Sequence, residues 1–183
     1  MSRLISVPTK SATGELKQLY GTVGGLLGGV PELFQAVGNS TPALTGLLGV
    51  LGALSTGSLT AKEREAVALV VSEFNSCSYC LSAHTALGLA AGMPQSETCD
   101  VRWGQIQEPK IKSLVQFVAA VLETKGDITG AQLKAVKTAG YEDKENTEIL
   151  LTIAVNYFTN IFNQVNQTKV DFPVVIPGQK VNV

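Results

Sequence analysis

Two of the three cysteines and the single histidine of this chain fall within eight consecutive positions. The segment Cys77-Ser-Tyr-Cys80 is followed, after three residues, by His84. On an α-helix, positions 77, 80 and 84 recur at steps of three and four residues and therefore share one face. Residues three apart lie about 5–6 Å apart at Cβ, which a modest adjustment brings within disulfide range. The spacing predicts a dithiol that can open and close, with an imidazole one helical turn away.

The predicted position of both cysteines in the first turn of a helix favours a thiolate, because unpaired N–H groups and the helix dipole stabilise anions there. A thiolate attacks the O–O bond of a peroxide and becomes a sulfenic acid, which condenses with a second nearby cysteine to a disulfide. An external thiol must then reduce that disulfide. We interpret His84 as a partly buried proton relay beside the sulfurs, rather than as a hydrogen-bonded histidine of the core.

A proton relay also needs a carboxylate, and three glutamates lie on the helix predicted just before the cysteines. These are Glu63, Glu65 and Glu73. Acidic residues also favour a solvated helix start, where they complement the dipole. Spacing alone does not choose among the three.

Helical signals run through the whole chain and predict an all-α fold. Capping boxes at Thr60–Glu63 and Thr129–Gln132 begin two helices, and Gly92 and Gly140 end two. Residues 172–176 are the main strand candidate and are interpreted as a tail. With no βαβ pattern, the CxxC segment is not that of a thioredoxin-like unit. We predict helices at residues 16–27, 31–37, 61–74, 77–91, 109–125, 129–140 and 142–167, with another introduced by residues 39–42.

The last predicted helix is apolar on nearly all sides and should be buried all round. Only 16% of the 183 residues are charged. Both observations favour a homo-oligomer, and the length fits one domain, residues 1–183. Asn156, Asn160 and Asn163 form a polar line on this helix. We interpret the line as interhelical hydrogen bonding in preference to a substrate role.

Composition excludes several classes of protein. A net charge of −1 without a basic run gives no basis for binding nucleic acid or an anionic membrane. No apolar run approaches the ~20 residues needed to span a bilayer, and residues 1–10 lack the apolar region of a signal peptide. We therefore expect a cytoplasmic protein. Three cysteines do not make a secreted disulfide framework, and Cys99 is interpreted as a buried or incidental thiol.

The pattern Glu65, eleven residues, Cys77-Ser-Tyr-Cys80, three residues, His84 resembles the signature of the alkylhydroperoxidase D family, within the carboxymuconolactone decarboxylase superfamily. The resemblance extends over a core at about residues 20–175 and implies an all-α fold that assembles as trimers or hexamers. It implies Cys80 as the peroxide-attacking cysteine, Cys77 as its resolving partner, and Glu65 with His84 as the proton relay. Lipoylated protein or another dithiol donor would regenerate the thiols, so that no bound cofactor or metal is required.

One residue departs from the family pattern. Founding members carry a histidine where this chain has Tyr79, which removes one possible relay group and leaves Tyr79 as a possible support. The Ser-Tyr version resembles the broader peroxidase-related branch of the family.

The sequence thus predicts a thiol peroxidase or disulfide reductase of antioxidant defence, with a hydroperoxide as substrate. A lyase of the carboxymuconolactone decarboxylase type is an alternative on the same fold, but it does not depend on a dithiol. A zinc site could use Cys77, Cys80 and His84, with Cys99 or Glu65 as fourth ligand. A non-catalytic redox sensor is the third alternative.

Overall fold

The computed structural model describes residues 2–179, and these residues form α-helices and short 3-10 turns without a β-strand. The all-α prediction is confirmed, and residues 172–176 form no strand. The short helix α6 is the one helix that the sequence pattern did not predict. The α-helices are α1 (Gly14–Leu27), α2 (Glu32–Val37), α3 (Thr41–Ser55), α4 (Ala61–Phe74), α5 (Ser78–Ala90), α6 (Gln95–Asp100), α7 (Pro109–Thr124), α8 (Gly130–Thr138) and α9 (Asp143–Asn166), and the 3-10 turns are Thr9–Ser11 and Val101–Trp103.

Local hydrogen bonds set the predicted helix boundaries. The Thr60 hydroxyl accepts from the Glu63 N–H at 3.2 Å, and the Glu63 carboxylate accepts from the Thr60 N–H at 2.8 Å. This capping box satisfies two N–H groups that the first turn of α4 leaves free. At the end of α5, Gly92 has φ +87° and the N–H of Met93 donates to the Gly88 carbonyl at 2.9 Å. That bond closes a glycine C-cap, and Pro94 then prevents continuation of the helix.

Helix α4 is the centre of the larger apolar core. Its side chains Val67, Leu69 and Val71 are fully buried, and α4 packs against α5, α7 and α9. The smaller apolar cluster lies between the N-terminal helices α1–α3, the start of α5 and the second half of α9, and includes Cys77 and Cys80. The cysteine pair is therefore inside the fold, under the N-terminal helices.

Within one chain, helix α9 is buried on one face only, so burial on all sides would need the subunit contact that the sequence favours. One face is buried through Ile149, Ile153 and Asn160, because that face packs against α4 and α5. The opposite face is between 41% and 54% exposed at six large apolar side chains: Leu150, Leu151, Tyr157, Phe158, Ile161 and Val165. Covering this face requires another surface, so the homo-oligomer stays a prediction. Among residues 2–179, no helix is both long enough and apolar enough to cross a bilayer.

Candidate active site

The site begins at the turn that joins α4 to α5. Ser76 has φ +54°, which reverses the chain, and the N–H of Cys77 then donates to the Ser72 carbonyl at 2.9 Å. Cys77 is the N-cap of α5, so the helix begins one residue after the predicted start at Cys77. The Cys77 sulfur accepts from the backbone N–H of Cys80 at 3.3 Å. A sulfur at this position is close to the positive end of the helix dipole, which favours its thiolate when the pair is reduced.

Cys77 and Cys80 form a disulfide bond, with their Cα atoms 5.3 Å apart. Each residue is only 2% exposed. A cleft of about 290 Å³ opens at this point, and Cys77, but not Cys80, is among the residues that line it. The cleft is lined by Ser76, Cys77, Ser78, Tyr79, Asn163, Gln164, Gln167, Thr168 and Val170.

His84 lies one helical turn after Cys80 on α5 and contacts a carboxylate of α4. Its Nδ1 is 2.8 Å from Oε2 of Glu65, and both side chains are less than one-fifth exposed. A carboxylate on Nδ1 fixes the orientation of the ring and leaves Nε2 to exchange a proton.

The other two candidate glutamates have different partners. Glu63 accepts from the Tyr141 hydroxyl at 2.8 Å and pairs with Lys110 at 2.9 Å. Burial opposes ionisation of Glu63, but the Lys110 pair and the hydrogen bonds from Thr60 and Tyr141 outweigh it and lower its pKa. Of the three glutamates, the structure therefore brings Glu65 to His84 and gives Glu63 a place in the core.

Glu73 connects α4 to the C-terminal segment. Its Oε2 accepts from Nε of Arg102 at 2.8 Å, and its Oε1 accepts from the N–H of Gly178 at 2.7 Å. Arg102 also donates to the carbonyls of Ile176 and Gln179, at 3.1 and 3.2 Å. These contacts hold the C-terminal segment against the body of the protein.

Tyr79 supports the start of α5. Its hydroxyl accepts from the N–H of Leu33 at 3.2 Å, and its ring packs edge-on against Phe172 with centroids 5.9 Å apart. Burial raises the pKa of Tyr79 well above its ordinary value, and the carboxylates of Asp171 and Glu32 raise it further. The phenol therefore stays protonated at neutral pH, and its contacts fit the support role that the sequence left open.

The asparagines of α9 have three separate partners. Asn156 donates to the Thr152 carbonyl of its own helix at 2.9 Å. Asn160 accepts from Nδ2 of Asn75 at 3.2 Å, across to the turn before Cys77. Asn163 donates from Nδ2 to the Cys80 sulfur at 3.4 Å. The interhelical interpretation is correct for Asn163 alone, because Asn160 bonds to a turn and Asn156 bonds within α9, and sequence reasoning missed that Asn163 reaches a cysteine.

The third cysteine, Cys99, is a buried free thiol on α6. Within residues 2–179, no three Cys, His, Asp or Glu side chains are arranged so that they could hold a metal ion.

Residues 42–106 match the model of the carboxymuconolactone decarboxylase family. The match covers about a third of the chain, and contains Glu65, Cys77, Cys80 and His84. A comparison with curated proteins found no match.

Solved structures resemble nearly the whole chain in fold. A peroxidase-related protein of Ralstonia eutropha JMP134, described as an alkylhydroperoxidase AhpD core, has a TM-score of 0.84 at 20% identity, covering 93% of this chain and 92% of that one. A peroxidase-related protein of Silicibacter sp. TM1040 has a TM-score of 0.78 at 20% identity, covering 92% and 94%. The debrominase Bmp8, in a cysteine-to-alanine form with 2,3,4-tribromopyrrole, has a TM-score of 0.80 at 15% identity, covering 93% of each chain.

The debrominase shows that proteins of this fold have activities other than peroxide reduction. The family match and the fold agree with the resemblance that the sequence indicates. The chain thus has an AhpD-like fold, and its residues 42–106 match the carboxymuconolactone decarboxylase family.

Proposed function

We propose that this protein is a thiol-dependent oxidoreductase that reduces hydroperoxides with the Cys77–Cys80 pair. The observation that carries the proposal is a disulfide at the start of a helix, followed one turn later by a histidine bound to a carboxylate. This arrangement combines a two-electron donor with a proton relay, and both are needed to split an O–O bond.

In the proposed first step, the Cys80 thiolate attacks one oxygen of the hydroperoxide. A sulfur–oxygen bond forms, the O–O bond breaks, and the electron pair leaves with the second oxygen as an alkoxide. His84 supplies the proton that turns this alkoxide into an alcohol. Cys80 is chosen for this step because it lies four residues before His84 on the same helix face.

Cys77 completes the cycle. Its thiolate attacks the sulfur of the Cys80 sulfenic acid, the new disulfide forms, and hydroxide leaves with a proton as water. A dithiol reductant, such as a lipoylated protein, then returns two electrons to the pair and is itself oxidised to a disulfide. Glu65 acts as a positioning residue, because it holds Nδ1 of His84 while Nε2 exchanges the proton.

The deciding experiment adds one equivalent of an alkyl hydroperoxide to the reduced, metal-free Cys99→Ser protein. We expect rapid loss of two hydrogens in the intact mass, mapped by peptides to Cys77–Cys80. The Cys80→Ser protein is the matched control and should consume peroxide much more slowly. Thiols that stay reduced would overturn the proposal.

Further assays separate the competing functions. Turnover beyond one equivalent when dihydrolipoamide is supplied distinguishes an enzyme from a redox sensor. Bromide release from 2,3,4-tribromopyrrole, with formation of the disulfide, would move the assignment toward reductive debromination, as carried out by a neighbour of the same fold. Stoichiometric zinc that blocks both thiols would favour a metal site, and lactone decarboxylation by a variant lacking both cysteines would favour a lyase.

A further inference from the structure

The amide of Asn163 is a buried donor whose hydrogen-bond contact is with a reacting atom. Its Nδ2 lies 3.4 Å from the Cys80 sulfur, and the residue is 3% exposed. Its Oδ1 has no hydrogen-bond partner among the described residues. A buried amide without a partner for its oxygen is costly, since most such atoms are satisfied. Asn163 also lines the cleft beside Cys77, so its side chain lies where a reactant would enter.

We infer that Asn163 is a catalytic residue that stabilises the Cys80 thiolate by donating a hydrogen bond to it. This inference deepens the proposed function and rests on it for the identity of the reaction. The contact is seen with a disulfide sulfur, which is a weak acceptor. A thiolate carries a full negative charge, so the same donor bonds it more strongly, and the low polarity of the buried site increases the effect.

The backbone around Asn163 holds this donor in place. Its carbonyl accepts from the N–H of Thr168 at 3.0 Å, which fixes the last turn of α9. Three residues earlier, Asn160 is bound to Asn75, in the turn that leads into Cys77. These two contacts therefore fix the position of the Asn163 amide relative to the cysteines.

Each sulfur has its own donor, and this division has a chemical consequence. Cys77 accepts from the backbone N–H of Cys80, and Cys80 accepts from Asn163. Because Cys77 lines the cleft, a reductant thiolate reaches Cys77 first. A bond then forms between the reductant sulfur and Cys77, the Cys77–Cys80 bond breaks, and the electron pair goes to Cys80. Asn163 stabilises that leaving thiolate, which speeds the exchange.

The second thiol of the reductant finishes the reaction. It attacks the reductant sulfur in the mixed disulfide, so that the reductant leaves as an internal disulfide and Cys77 is released as a thiolate. The pair has gained two electrons, and the dithiol has lost two. The same Asn163 contact then maintains Cys80 as the nucleophile for the next hydroperoxide.

The test measures the pKa of Cys80 without any peroxide, in a Cys77→Ser, Cys99→Ser background where Cys80 is the remaining cysteine. The pH dependence of thiolate absorbance gives this pKa directly. We expect Asn163→Leu, which keeps the approximate shape but removes the donor, to raise it by about one unit, a tenfold change. Asn163→Gln, which retains an amide donor, should recover part of the shift. Asn156→Leu, on the same helix but bonded within it, should leave the pKa unchanged.

A second measurement uses the intact cysteine pair. We expect Asn163→Leu to shift the dithiol–disulfide equilibrium against dihydrolipoamide by about tenfold toward the disulfide, which corresponds to about 30 mV. If Leu does not fold at this position, Asn163→Ala replaces it in both assays. An unchanged Cys80 pKa in a folded variant would overturn the inference. A raised pKa together with failure to reduce hydroperoxides would overturn the proposed reaction but retain the role of Asn163.

Discussion

Nδ1 of His84 lies 2.8 Å from Oε2 of Glu65, and this contact joins α5 to α4 one helical turn beyond Cys80. The contact distinguishes Glu65 from Glu63, two residues earlier on the same helix, which binds Tyr141 and Lys110 instead. Two glutamates of α4 therefore have separable roles, one at the site and one in the core.

Glu65→Gln is expected to slow peroxide consumption by about 10²-fold, because an amide holds the imidazole less strongly and does not stabilise its protonated form. Stopped-flow decay of an alkyl hydroperoxide measures this rate. Glu63→Gln is the matched control and should leave the rate per folded molecule within a few-fold. Equal effects of the two substitutions would remove Glu65 from the relay.

Glu63→Gln is instead expected to make folding stability less dependent on acid pH. The pKa of Glu63 is lowered in the folded protein from an ordinary value of 4.5, so its contribution is present above pH 4.5 and is lost as the pH falls through the folded value. Urea unfolding of the wild type and the variant between pH 3 and pH 7 measures the difference in the free energy of unfolding, which should become smaller as the pH falls below 4.5. A constant difference across this range would contradict the prediction.

Cys77→Ala is expected to accumulate a sulfenic acid at Cys80 after addition of a hydroperoxide, because the resolving thiol is missing. A dimedone-type probe with peptide mapping detects it. Trapping at Cys77 in Cys80→Ala, with none at Cys80 in Cys77→Ala, would reverse the two roles.

Tyr79→Phe is expected to destabilise the fold by about 1–3 kcal/mol, because the N–H of Leu33 loses its acceptor in a buried position. The rate of peroxide consumption should change less than about threefold, since the protonated phenol takes no part in the relay. Chemical unfolding and the peroxide assay measure the two effects on the same sample. A large loss of rate at unchanged stability would assign Tyr79 to the relay.

Ile161→Glu is expected to weaken self-association, because it places a charge on the exposed apolar face of α9. Sedimentation of the wild type should show a homo-oligomer, and the variant should shift toward the monomer. Lys134→Glu, on α8 and away from this face, is the control for the added charge. A wild-type protein that is monomeric at high concentration would contradict the oligomer prediction.

Local rules predicted the helices well, because caps and glycine ends act within a few residues. Thr60, Thr129, Gly92 and Gly140 set boundaries within one or two residues of those observed. Helix α6, at Gln95–Asp100, was missed because its residues are almost all polar and show no apolar periodicity, unlike those of the equally short α2.

The composition of the site depended on tertiary geometry that spacing does not contain. Selecting Glu65 over Glu63 and Glu73 requires the rotation of α4 relative to α5. Finding Asn163 requires knowing that the end of α9 lies against the start of α5, 83 residues away in sequence. The apolar pattern of α9 predicts that the helix is covered, but the pattern does not say whether its own chain or a second copy covers it.

The disulfide also has a consequence for the energetics of the catalytic cycle. Cys77 and Cys80 are three residues apart, so their bond closes one of the smallest loops a chain can form. By the chain-entropy relation such a loop restricts the unfolded chain by only about 2 kcal/mol, compared with about 3 kcal/mol for a loop of 15 residues. If the pair cycles as proposed, its reduction therefore lowers the free energy of unfolding by about 2 kcal/mol, less than the opening of a longer disulfide loop would.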